Sequence, residues 1–105
     1  MEERNKYGFV SGGWIFDYMD RKALYVLNKV VKNTANRNFY TASAKIDFKQ
    51  QLCNTDNLMF DFFVMIESKR CVKVGCSLWQ NAKDLIAKAD FVFVEAKENK
   101  CKIKE

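Results

Sequence analysis

The chain contains no histidine and no proline, and only four glycines among its 105 residues. Without histidine, no mechanism can use an imidazole as acid, base or metal ligand. Ser-His-Asp and Cys-His hydrolases are excluded in the same step. The lack of proline and the scarcity of glycine exclude a low-complexity linker. No apolar stretch approaches the roughly 18 residues of a membrane span, so none is expected. No run of five or more like charges marks a nucleic-acid arm. The four cysteines, at 53, 71, 76 and 101, include no C-x-x-C pair. With no histidine to complete a set, a metal site is not expected.

The length is that of one domain, 1–105. The chain is 49% hydrophobic and 14% aromatic, enough for a sizeable core. Its net charge of +5 favours an anionic partner: nucleic acid, a membrane surface or a phosphorylated ligand. Four cysteines could form two disulfides, but a core of this size does not need them, and the N-terminus does not read as a signal peptide. Reduced thiols in a cytoplasm are therefore expected.

The hydrophobic period changes along the chain. A short strand is predicted around Tyr7 to Val10. Ser11 is an N-cap for a helix opened by Gly12-Gly13 and running to about Lys32, with Lys29 and Lys32 at the negative end of its dipole. "NTANRN", 33–38, is the stop. Period 2 follows in four strands: 41–49, 58–67, 71–79 with a bulge at Gly75, and 85–97. In the first, Ala42, Ala44, Ile46 and Phe48 share one face and Thr41, Ser43 and Lys45 the other. The tail, 98–105, is expected to be frayed. One long helix followed by four antiparallel strands is α+β, with the helix packed on one face of a sheet.

A helical wheel places Ile15, Phe16, Met19, Ala23, Leu24, Val26, Leu27, Val30 and Val31 on one arc of about 180°. Asp20 is the only charge inside it. A carboxylate taken into a core costs several kcal/mol unless it is paired. Two explanations stay open. Asp20 holds a structural hydrogen bond to a neighbouring element, or it is a catalytic carboxylate, base or nucleophile. The glycines bear on the choice. Backbone N–H groups at a helix N-terminus lack internal partners and sit at the positive end of the dipole. Glycine lets a ligand approach them, so a polarised carbonyl would be stabilised there. The plain alternative is a tight entry turn. Asp20 lies seven residues beyond Gly13, about 10 Å along the axis, so an acyl group lying along the helix is expected to touch both.

Together these features resemble the hot-dog-fold acyl-CoA thioesterases. "SGGWIFDYMD" resembles the bacterial branch whose motif reads F-G-G-W-L-x-x-x-M-D, matching Gly12, Gly13, Trp14, Met19 and Asp20. "TASAKIDFKQQLCNTD" resembles the following block, a strand ending in Phe and a P-x-x-x-G-D turn, and Trp79 falls where that branch often has Trp. The resemblance covers roughly residues 5–96 and implies a central helix wrapped by an antiparallel sheet. There are departures. The turn has lost its Pro, and its Gly is Thr55. "SKRC" replaces a G-T-T-S-like turn, and Ser11 stands where many members have His. The usual first strand is short or missing, as it would be in a piece of a longer chain.

The resemblance implies an acyl-CoA ligand, CoA entering as part of the substrate and not as a cofactor, and a place in fatty acid metabolism. It implies Asp20 as catalytic group, Gly12 and Gly13 as donors to the thioester carbonyl, and substrate contacts from Trp14 and Phe16. Lys69, Arg70 and Lys73 are candidates for the CoA phosphates, or plain solvated charges. A homodimer, or a higher oligomer, is expected, with sites between subunits. The main reading is a thioesterase. The second is a non-catalytic acyl-CoA-binding or regulatory domain, since the chain also resembles the ligand-sensing domain of fatty-acid-synthesis repressors. The third is a basic interaction or nucleic-acid-binding domain. The aromatics speak against nucleic acid, because they follow core periodicity and are not interleaved with Lys and Arg on a strand face.

Overall fold

The computed structural model describes residues 3–31 and 37–97. Lys32, most of the 33–38 stop, the 98–105 tail and Cys101 lie outside the described residues. One helix, α1 (Gly12–Val30), precedes four strands: β1 (Phe39–Phe48), β2 (Leu58–Ser68), β3 (Cys71–Gln80) and β4 (Asp84–Glu95). All neighbours are antiparallel, in the order β1-β4-β3-β2, which leaves β1 and β2 as the two edges.

The helix begins where the sequence places it. Ser11 is extended, and its hydroxyl accepts from the N–H of Trp14 at 3.2 Å. At the other end the Val31 N–H bonds the Leu27 carbonyl at 2.9 Å, and Lys29 lies in the last turn. The buried stripe is Ile15, Met19, Ala23, Val26 and Leu27, at three- and four-residue spacing. Val30, on the expected apolar arc, is exposed, because the helix ends there.

The stripe meets Val72, Val74, Cys76 and Leu78 of β3 and Ala87, Ala89, Phe91 and Phe93 of β4, all buried. Each large side chain hidden there contributes about 1.5–3 kcal/mol. The helix lies on this face only. The other face carries the alternate residues, among them Lys45, Asp61, Phe63, Lys73, Lys88 and Asp90. The long connection from β1 to β2 dips into the core at Leu52, whose carbonyl accepts from the Val10 N–H at 2.8 Å.

Three local expectations are corrected. Residues 7–10 form no strand. Asn5 folds that stretch into a turn, its side chain accepting from the N–H groups of Tyr7 and Phe9, and only an isolated bridge joins Arg4 to Val10. Gly75 is not a bulge: the register runs unbroken through Phe63, Gly75 and Asp90. The ring of Phe63 lies where a Cβ on Gly75 would be. The real irregularity in β1 is at Ala42. Thr41 opposes Phe93 and Ser43 opposes the next residue, Val92, so Ala42 is the extra one. A bulge of this kind puts the residues on its two sides out of phase. Thr41 therefore faces the helix, not the solvent side that strict alternation assigns it.

Candidate active site

The bulge decides the surroundings of Asp20. The hydroxyl of Thr41 donates to Asp20 Oδ1 at 2.7 Å. Asp20 itself is half-buried, at the flank of the apolar stripe beside Met19 and Ala23. The fully buried charge suggested by the wheel is thus corrected: among the described residues no polar or charged side chain is fully buried. A wheel treats half the helix as covered, whereas the sheet covers a narrower stripe. The structural bond and the chemical role are not exclusive. With Oδ1 held by a short hydrogen bond to a charged acceptor, the carboxylate is oriented, and Oδ2 is left to take a proton.

The two glycines separate in their surroundings. A Cβ on Gly12 would meet the ring of Phe48 at 3.3 Å, so this glycine lets the end of β1 pack on the helix start. At Gly13 a Cβ would find only Ser11 Oγ, at 4.0 Å. As the first helical residues both keep N–H groups without an intrahelical acceptor, and no other bond is made by either. Gly12–Phe48 and Asp20–Thr41 are both contacts with β1. The candidate machinery therefore lies along the β1 edge of the sheet.

The two ends of the candidate site are widely spaced. A reacting carbonyl has to lie about 3 Å from its hydrogen-bond donor and close to its base. Gly13 and Asp20 are about 10 Å apart along one helix. They cannot serve the same carbonyl from one chain. Among the described residues, surface cavities of about 240 to 540 Å³ lie elsewhere and are not lined by Gly12, Gly13 or Asp20.

Other expected contacts are scattered. Phe16 packs edge-on against Phe91 at 5.8 Å and belongs with the core. Trp14 stacks on Tyr18 in a groove along α1, both rings half-buried against the core. Lys73 lies between the buried Val72 and Val74, so it points from the face opposite the helix and Asp20. Lys69 and Arg70 form the tip of the β2–β3 hairpin. Arg70 is drawn to Glu95, Nε to Oε1 at 4.0 Å and Nη2 to the carbonyl at 3.1 Å. Arg37 bonds both Glu95 and the Lys69 carbonyl. That Arg37 bond is the main cause holding the Glu95 carboxyl below its usual 4.5. Cys53, Cys71 and Cys76 are free thiols. Burial, with help from Asp90, pushes Cys76 up to about 12, which keeps it protonated and unfit as a nucleophile.

Sequence reasoning missed the contact of Thr41 with Asp20. Nothing in "YTASA" announces a bulge, and strict alternation hides the contact.

One long helix laid on one face of an antiparallel sheet, with a hydroxyl-held carboxylate on the helix and open N–H groups at its start, defines a hot-dog domain. The thioesterase superfamily model matches residues 7–87, and the chain belongs to that superfamily. Solved structures agree in fold. A hypothetical thioesterase from Streptococcus pneumoniae, crystallised with coenzyme A, superposes with a TM-score of 0.74 at 14% identity, over 95% of this chain and 77% of that one. A Bacillus halodurans protein with CoA gives 0.78 at 14%, over 91% and 62%. A gentisyl-coenzyme A thioesterase gives 0.74 at 15%, over 91% and 85%. No curated protein matches the sequence.

Proposed function

We propose that this chain hydrolyses an acyl-CoA thioester, with Asp20 as general base, in a homodimer. The observation that carries the reading is the 2.7 Å bond from Thr41 to Asp20, on the helix of a thioesterase-superfamily chain. The pneumococcal protein has been crystallised with an aspartate and, separately, a threonine changed to alanine. The same two residue types meet here.

In the proposed step Asp20 Oδ2 takes a proton from water as the water oxygen attacks the thioester carbon. The carbonyl becomes an oxyanion, and the N–H groups of Gly12 and Gly13 hold it. The C–S bond breaks, the acid is released, and the CoA thiolate recovers the proton as a thiol. Because one helix spaces donor and base too far apart, the donor glycines come from the second subunit. β1 is an unpaired edge ten residues long, and the machinery lies along it. Two copies paired antiparallel through β1 would set their helices antiparallel, with Gly13 of one near Asp20 of the other. In this arrangement Lys69 and Arg70 supply basic groups for the CoA phosphates, Lys73 being on the far face of the sheet, and the site is cytoplasmic.

Thiol release across acyl-CoA chain lengths tests the activity. Asp20→Asn should lower turnover by about 10²–10⁴ with the fold intact. Thr41→Val should lower turnover less, while acyl-CoA binding is retained. A mixing experiment tests the shared site. Asp20→Asn and Gly13→Val chains are each inactive, and a mixed dimer keeps one intact site. Mixing should therefore restore about a quarter of the sites, whereas no recovery would place the site within one chain. Wild-type protein that binds acyl-CoA but releases no thiol would favour the binding-only domain.

A further inference from the structure

Arg37 stands two residues before β1, and its side chain is only 21% exposed. Its guanidinium lies over the ring of Phe39, 4.8 Å from the ring centre. One terminal nitrogen, Nη2, donates twice: to Glu95 Oε1 at 3.1 Å and to the backbone carbonyl of Lys69. A surface arginine gains little from a single ion pair. This one is held by a ring, a carboxylate and a carbonyl at once, which fixes its planar head in one place.

The carbonyl gives that geometry its meaning. Lys69 and Arg70 are the two-residue turn between β2 and β3. A turn at the free end of a hairpin is ordinarily held by its own two strands alone. Here the neighbouring elements hold it too. The Glu95 N–H donates to the Arg70 carbonyl at 2.9 Å, and Arg70 Nη2 donates to the Glu95 carbonyl at 3.1 Å. Arg37 adds the bond to Lys69, so the turn is tied both to the end of β4 and to the approach to β1. The Lys69 side chain makes none of these bonds and is exposed.

The brace also lies on the side of the sheet where the carboxylate is. Phe39 opposes Glu95, and Thr41 opposes Phe93. Side chains alternate along a strand, so Glu95 shares the helix-facing side with the buried Phe93. Thr41, which holds Asp20, is two residues away along the strands, about 7 Å.

We propose that Arg37 is a positioning residue for ligand binding. Through Glu95 and the Lys69 carbonyl it fixes the β2–β3 turn, and with it the two bases that meet the CoA phosphates. The inference rests on the acyl-CoA reading. Arg37 does not itself touch the ligand, because its charge is already matched by Glu95.

Calorimetric titration with CoA and with pantetheine, which has no phosphate, tests this without requiring turnover. Wild type should bind CoA more tightly than pantetheine. Arg37→Gln should weaken CoA binding by about three- to tenfold, as two partly exposed ion contacts are loosened together, and leave pantetheine binding unchanged. Loss of a positive charge alone would do the same, so a second variant separates the two causes. Glu95→Ala removes a negative charge near the phosphates. It should tighten CoA binding if net charge decides, and weaken it if the brace decides. Weaker CoA binding in both variants is the expected result. Tighter binding in Glu95→Ala overturns the positioning role. So does unchanged CoA binding in Arg37→Gln, or an equal loss of CoA and pantetheine binding there. A wild type that binds neither compound overturns the acyl-CoA reading and this inference with it, whereas the variant results overturn this inference alone.

Discussion

β2 and β3 are neighbours with the same kind of sequence but different fates. Both alternate, and both turn their apolar residues toward the helix: Phe60, Phe62, Val64 and Ile66 from β2, and Val72, Val74, Cys76 and Leu78 from β3. The β3 residues are 0 to 4% exposed, while Phe62 is 43% and Ile66 62% exposed. Composition does not separate them; position does. One helix covers the middle of a four-strand sheet, and an edge strand extends past its flank. Alternation states which face a residue takes, not whether anything covers that face.

The largest effect should come from the covered centre. Phe91→Ala removes a fully buried ring that touches both Phe16 and Phe93, and should cost about 3–5 kcal/mol in urea unfolding. Phe62→Ala should cost less than about 1.5 kcal/mol in the same assay, since much of that ring is already in water. Equal losses would mean that β2 is covered in solution.

The helix start offers a sharper contrast. Ser11→Ala deletes the cap and should cost about 1 kcal/mol. Gly13→Ala meets nothing and should hold stability level or raise it by about 0.4–1 kcal/mol. If Gly13 approaches the thioester, thiol release should fall all the same. A variant that melts higher yet turns over more slowly would separate the ligand role of Gly13 from the packing role of Gly12. Unchanged kinetics would remove Gly13 from the site.

Gly75→Ala tests the contact between the two compared strands. The added methyl must displace the ring of Phe63, which is 56% exposed and able to swing out. The expected cost is about 1 kcal/mol or less. A cost several times larger would show Phe63 locked in place by a further contact.

The smallest effect concerns pH. Folding lowers the Glu95 pKa below 4.5, chiefly through Arg37. That stabilisation is therefore present above pH 4.5 and is lost as the pH falls through the folded value. The melting temperature of wild type should drop more steeply below pH 4.5 than that of Glu95→Gln. Parallel curves would show the Arg37 bond to be absent in solution.

Much of this was legible in the chain itself. Ser11 as cap, the Ile15–Met19–Ala23–Leu27 stripe and the four strands all come from local rules. A cap needs only its own helix, and a period needs only neighbouring residues. The motif around Gly12, Gly13 and Asp20 pointed to the family for the same reason. What local rules could not supply was the bulge at Ala42, which turns Thr41 onto Asp20. It also took the fold to show that Phe48 rests on Gly12 and Phe63 over Gly75.

By itself, then, the sequence determined the helix and its capped start, the strands, the absence of imidazole chemistry, and a carboxylate seven residues beyond a glycine pair. All of these depend on residues near one another in the chain. Only the tertiary structure decided that the sheet order leaves β1 and β2 as edges, that Asp20 is half-buried and held by Thr41, and that Lys73 lies on the far face. These depend on register and on which strand comes to lie under the helix. Both are set by contacts between residues distant in the chain, such as Phe16 with Phe91 and Thr41 with Asp20, whose joint packing no single segment encodes.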